Sequence, residues 1–169
     1  MVNLQIGESF VGSGVNAAHT NTILGNRSGP AGVAWATALA TPRAGHVPFM
    51  VIAKTGLAVT PPTLFVNKAE VESDFHGLLT WGACQAGVAA GVRQALAEGF
   101  IGKSEVEDLV IIAAIWLNPS ADDEEQVYAN QSKAMYEAIK NGKLGLPKAE
   151  DLLDQDLVIS NPFFRQKNQ

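Results

Sequence analysis

From Val2 to Phe10, apolar Val2, Leu4 and Ile6 alternate with Asn3 and Gln5, the period of a half-buried strand, and Gly12-Ser13-Gly14 supplies a flexible turn. Ala18 to Leu24 is a second strand, favoured by the β-branched Thr20, Thr22 and Ile23 and pairing with the first as a hairpin. Its period of two places His19, Asn21 and Ile23 on one face and Ala18, Thr20, Thr22 and Leu24 on the other. A glycine-rich corner, Gly25 to Pro30, leads into a helix capped by Ser28 or Gly29, with Pro30 at its first position, ending near Pro42.

Further on, the unbroken apolar run PFMVIA (48–53) predicts a buried strand, and TLFVNKAEV (63–71) another that turns polar at its end. Pro61-Pro62 forbids regular structure in the loop between them. An extended frame points Asn67 away from Lys68 and sets Lys68 and Glu70 on one face, where they would form a solvated ion pair. Ser73 caps a short helix through Thr80, and Gly82 interrupts before a Gly/Ala-rich helix through Glu98 with Val88, Val92, Ala95 and Leu96 as its stripe. Ser104 to Glu107 has the form of a capping box before the buried strand Leu109 to Leu117. Glu124 to Asn141 is an amphipathic helix stopped by Gly142, and from Lys143 the chain is irregular, with Asn161-Pro162-Phe163-Phe164 anchoring a tail.

A strand showing imidazole and carboxamide two residues apart fits a cleft wall, because buried polar groups need partners. A core histidine satisfied by a backbone carbonyl fits the local pattern too, and the rest of the chain must decide. The glycine-rich corner lacks both GxxxxGK[ST] and GxGxxG, so it reads as a helix start.

The chain has 169 residues, a length for one domain with a real core. Charged residues make up 17%, against roughly 25% in soluble domains, so part of the surface is expected to be covered by other copies of the chain. A net charge of −5 without a Lys/Arg cluster argues against a nucleic-acid surface, leaving Arg27, Arg43 and Lys68 to meet any anionic ligand. The start MVNLQIGESF has no basic or apolar leader pattern, and no apolar run approaches the ~20 residues a bilayer needs; a soluble, cytoplasmic protein is expected. Cys84 is the only cysteine, and His19, His46 and His76 lack the i, i+4 spacing of a helical metal pair, so no metal site is expected.

Taken in order, GSGVNAAHTNTILG (12–25), Asn67-Lys68, CQAGVAAGVRQALAEG (84–99), NGKLGLPKA (141–149) and the terminal Pro-Phe resemble the formaldehyde-activating enzyme family over nearly the whole chain. The resemblance implies an α/β (α+β) fold, one domain with a mixed sheet covered by helices, similar to the second domain of a small-subunit ribosomal protein. It implies condensation of formaldehyde with tetrahydromethanopterin to methylene-tetrahydromethanopterin and water, a hydro-lyase step of one-carbon metabolism, methylotrophy and formaldehyde detoxification. It further implies homopentamers with sites between subunits, tetrahydromethanopterin as co-substrate, and no metal or prosthetic group.

Position by position, the family's catalytic histidine falls on His19, its binding lysine on Lys68 and a glutamine contact on Gln85. Met50 stands where the family has leucine, Asn21 where it has a pterin-binding aspartate, and Glu70 where it has serine or threonine. The resemblance makes His19 the general acid that expels water from a hydroxymethyl adduct, worth roughly 10²–10⁴-fold. A Schiff base between Lys68 and formaldehyde is the lesser route, since the pterin amine is itself a trap. Glu70 is expected either to pair with Lys68 or to supply the charge Asn21 lacks. The change at Asn21 and Glu70 keeps a second reading open, a non-catalytic pterin- or formaldehyde-binding paralogue.

Overall fold

The computed structural model describes residues 4–164; Val2 and Asn3 of the expected first strand lie outside the described residues. Strands β1 (Gln5–Val11) and β2 (Ala18–Asn26) form the expected antiparallel hairpin, with Glu8 opposite Asn21 and Phe10 opposite His19. Helix α1 (Pro30–Ala40) follows, with Pro30 in its first turn and Gly29 as N-cap. Then come β3 (Phe49–Met50), β4 (Ile52–Lys54), β5 (Leu57–Ala58) and β6 (Thr63–Asn67). Helices α2 (Asp74–Leu79) and α3 (Gln85–Ala97) are joined by one wide turn over Thr80–Cys84, and Ser73 caps α2 by accepting from the His76 amide. Strand β7 (Leu109–Trp116), helix α4 (Glu124–Leu144) and the short α5 (Ala149–Leu152) complete the order.

The main sheet runs β1-β2-β7-β6-β3, antiparallel except for the parallel β6/β7 pair, so the fold is α+β with a mixed sheet. One face is covered by α3 and α4, which bury Phe65, Ile111, Ala113 and Ile115 of the sheet against Val88, Val92, Met135 and Ile139. The expected closeness of the Gly/Ala-rich helix is explicit. A Cβ on Gly91 would stand 2.6 Å from the Ser132 carbonyl oxygen of α4.

Helix α4 also lies directly on β1 and β2, where a Cβ on Gly7 would meet the Ala138 carbonyl oxygen at 1.8 Å. Only small side chains fit beneath it, and Gly7, Ser9, Ala18, Thr20 and Thr22 are buried there. That overturns the inward direction expected of the first strand's apolar set. Leu4 and Ile6 point away from α4 and are exposed, on the face that carries His19, because helix-to-strand proximity outranked hydrophobic alternation.

On that second face Leu64, Val110 and Ile112 are still buried, where α1 packs across β2, β7 and β6. Beyond the helix, the face is open. Four further expectations change. PFMVIA splits into β3 and β4 with only Val51 fully buried, because this edge is too short to be covered on both sides. The strand from Thr63 stops at Asn67, and Ser104 makes no cap, since Val106–Asp108 is a single 3₁₀ turn. Helix α4 runs past Gly142, which faces the backbone of Ile6 and Gly7, and stops at Gly145 in the left-handed conformation. No helix among the described residues is long and apolar enough to cross a membrane.

Candidate active site

The direction of His19 is set from the far side of its own strand. Thr20, on the face beneath α4, accepts a 2.7 Å hydrogen bond from buried Gln131, so its neighbour His19 must project to the open face. The hairpin turn is tied to the start of α4 by Asn16, which donates to Asp122 Oδ1 and accepts from the Asp122 and Asp123 amides. Lys68 is aimed by the end of β6. Its amide donates to the Ile115 carbonyl at 2.7 Å, and the Asn67 side chain ties down the Gly45 and Ala69 carbonyls. The chain therefore turns after Lys68.

Four side chains meet on this face. Lys68 Nζ donates to Asn21 Oδ1 at 2.7 Å and lies 3.5 Å from His19 Nδ1, while His19 Nε2 lies 3.1 Å from Glu8 Oε1. A carboxylate only accepts, so Nε2 carries the proton toward Glu8 and Nδ1 is left as the acceptor facing Lys68. The imidazole is 36% exposed on this open face, so it is not a core histidine. Partial burial, reinforced by the Lys68 charge, lowers the His19 pKa below its ordinary value, and Glu8 opposes the shift. Burial likewise lowers the pKa of Lys68, again opposed by Glu8.

Glu8 is the member that sequence reasoning missed. A hairpin folded about Gly14 and Val15 would have set Glu8 opposite Asn21, so the signal lay in the turn position and not in a motif. Aromatic rings flank the imidazole. Phe10 has its ring centre 5.8 Å from that of His19, Trp116 pairs with His19 across β7, and Phe163 of the tail meets both Phe10 and Trp116 edge-on at 6.2 and 6.0 Å. The tail thus touches the candidate site through Phe163.

The remaining expected residues lie elsewhere in the chain. Glu70 makes no ion pair with Lys68: the backbone bends after β6, and the Glu70 side chain rests against Gly45. Gln85 accepts from the Ile52 amide at 3.0 Å and donates to the Trp81 carbonyl at 2.6 Å, beside exposed Met50 two residues before Ile52. Met50, Ile52, Trp81 and Gln85 thus make a second patch on the β3 edge. Arg27 is committed to the backbone of Glu107, and Arg43 lies in a turn with His46, so Lys68 is the basic side chain at the imidazole. Cys84 is fully buried, its thiol pKa pushed far above the usual range by that burial, and it is unreactive.

Comparison with known proteins gives the same frame. The family model described as formaldehyde-activating enzyme matches residues 6–164. The bifunctional enzyme Fae/Hps of Archaeoglobus fulgidus is 31% identical over 166 residues, covering 98% of this chain and 42% of that protein. That of Methanosarcina mazei is 34% identical over 151 residues, covering 89% of this chain and 38% of that protein. This chain therefore spans well under half the length of these bifunctional relatives. The 5,6,7,8-tetrahydromethanopterin hydro-lyase of Methanosarcina barkeri is 31% identical over 158 residues, which cover 94% of this chain and 89% of that one. With its hairpin histidine and strand-end lysine on one sheet face, and a match from the first strand to the tail, the chain belongs to the formaldehyde-activating enzyme family.

Proposed function

We propose that this protein condenses formaldehyde with tetrahydromethanopterin, giving methylene-tetrahydromethanopterin and water, with His19 as general acid. The observation that carries the reading is the contact set of Glu8, His19, Lys68 and Asn21 on an open sheet face. One pterin amine adds to formaldehyde, and the resulting hydroxymethyl group must leave as water before the second amine closes the ring. Glu8 holds Nε2–H, so the transferable proton sits on Nδ1 of the imidazolium, and Glu8 stabilises that cation as it forms. With its pKa lowered, the imidazole is mostly neutral at pH 7 and takes up its proton during turnover. Phe10, Trp116 and Phe163 supply flat apolar walls suited to a pterin ring. Lys68 and Gln85 offer polar contacts to its edges.

The reading includes a site shared between copies, in a cytoplasmic homopentamer without metal or prosthetic group. Gln85 and Met50 lie on a patch apart from His19, so a neighbouring copy would complete the set. Helix α1 has no charged residue and leaves Val33 and Leu39 exposed, and Leu4 and Ile6 are exposed beside it. Light scattering on the purified protein tests the assembly, and a monomer at working concentration would remove the shared site. A second reading, a pterin-binding paralogue without catalysis, is favoured by Asn21, which meets Lys68 with a neutral oxygen. Mixing protein, formaldehyde and tetrahydromethanopterin and following methylene-pterin absorbance decides between them. Acceleration over the spontaneous rate supports the enzyme; thermal stabilisation by the pterin without acceleration supports the binder.

A further inference from the structure

We propose that Lys68 is itself a formaldehyde-capturing nucleophile, its Nζ forming a covalent one-carbon adduct beside His19. The inference shares the formaldehyde substrate of the reading above but needs no pterin. A neutral lysine amine has two N–H donors and one lone pair. Here two acceptors face Nζ, Asn21 Oδ1 at 2.7 Å and His19 Nδ1 at 3.5 Å, a set that the two hydrogens of the neutral amine can fill with its lone pair left free. Neither acceptor carries a charge. The carboxylate of the cluster, Glu8, is occupied with His19 Nε2 and forms no ion pair with Lys68. Contrast Lys133, whose ammonium lies 3.9 Å from the Glu137 carboxylate on the surface of α4. The lowered pKa of Lys68 acts in the same direction, since only the free amine is nucleophilic.

The chemistry closes with the residues present. The Nζ lone pair attacks the carbonyl carbon, a C–N bond forms, and the C=O π pair moves to oxygen. The proton shed by nitrogen passes by way of His19 Nδ1 to that oxygen, giving a neutral carbinolamine. A second proton, taken from solvent and delivered by the same imidazole, breaks the C–O bond. Water leaves, and a methylene iminium remains on Nζ, open to attack by an amine that would release Lys68 unchanged.

The test treats the full-length protein with limiting isotopically labelled formaldehyde and cyanoborohydride, which reduces the iminium to a methylamine, and maps the label by peptide mass spectrometry. Lys68 is expected to gain the labelled methyl several-fold faster than Lys133, and Asn21→Asp, which places a carboxylate on Nζ, to slow it toward the Lys133 rate. Labelling of Lys68 no faster than that of Lys133 in the unsubstituted protein overturns the proposal. Run beside the pterin assay, the two readings separate. Fast Lys68 labelling without pterin condensation leaves the capture standing and removes the condensation. Condensation with Lys68 labelled only at the Lys133 rate does the reverse.

Discussion

Glu8 and His19 face each other across the first hairpin, the carboxylate 3.1 Å from Nε2, and the contact decides which imidazole nitrogen carries the proton. With Nε2–H held, Nδ1 is the atom that meets Lys68 and the open face. A histidine read along its own strand has no such polarity. The partner strand supplies it.

Replacing Glu8 by Gln tests that polarity. Glu8 raises the His19 pKa against burial and the Lys68 charge, so its removal lowers that pKa further. The rate component that needs imidazolium is full below the pKa and lost above it, and its descending limb is expected to move to lower pH. At this exposure the pair is worth about 1 kcal/mol, so the rate near pH 7 should fall up to about fivefold. NMR titration of the imidazole checks the shift directly, and an unmoved His19 titration would refute the role. The sign for stability runs with it. Folding lowers this pKa, so the unfolded chain binds the proton more tightly and the stability contribution falls as pH drops through about 6.5.

Asn21→Asp should tighten tetrahydromethanopterin binding about tenfold, the value of a charged acceptor over a neutral one at roughly 1–2 kcal/mol. Because Glu70 rests against Gly45 and not on Lys68, adding Glu70→Thr is expected to change little more. Calorimetric titration of the single and double variants measures both. An effect confined to the double variant would place Glu70 in the site.

Phe163 touches Phe10 and Trp116 yet is 75% exposed. Its truncation to Ala removes two edge-on contacts from the wall beside His19, which at this exposure together contribute no more than about 0.5–1.5 kcal/mol. The KM for the pterin should rise several-fold while the melting temperature stays within a few degrees. Equal losses in both would make Phe163 a structural anchor alone.

Gly7→Ala drives a methyl to within 1.8 Å of the Ala138 carbonyl oxygen, so α4 must lift from the hairpin. Overpacking of this kind costs roughly 1–3 kcal/mol, a drop in Tm of roughly 2–12 °C for a chain of this size. Calorimetry of the variant is the check, and an unchanged Tm would mean that α4 does not bear on β1 as described.

Much of the molecule is written in local pattern. The alternation of Ala18, Thr20, Thr22 and Leu24 against His19, Asn21 and Ile23 needs only the strand's period of two, and burial follows it residue by residue. Helix starts at Ser73 and Asp123 follow from side-chain caps, and that at Pro30 from the fixed φ of proline in the first turn, all between near neighbours in sequence. The family was legible from residues in order, and the structure brings together His19 and Lys68, two of the residues that the resemblance singled out. What the chain could not declare by itself depends on distance in space. Gly7 beneath α4 turned the first strand's apolar set outward, the bend after Asn67 parted Glu70 from Lys68, and hairpin register brought Glu8 to His19. Each of those outcomes is settled by which segments pack together, and a one-residue change of register would reverse the two that belong to the hairpin.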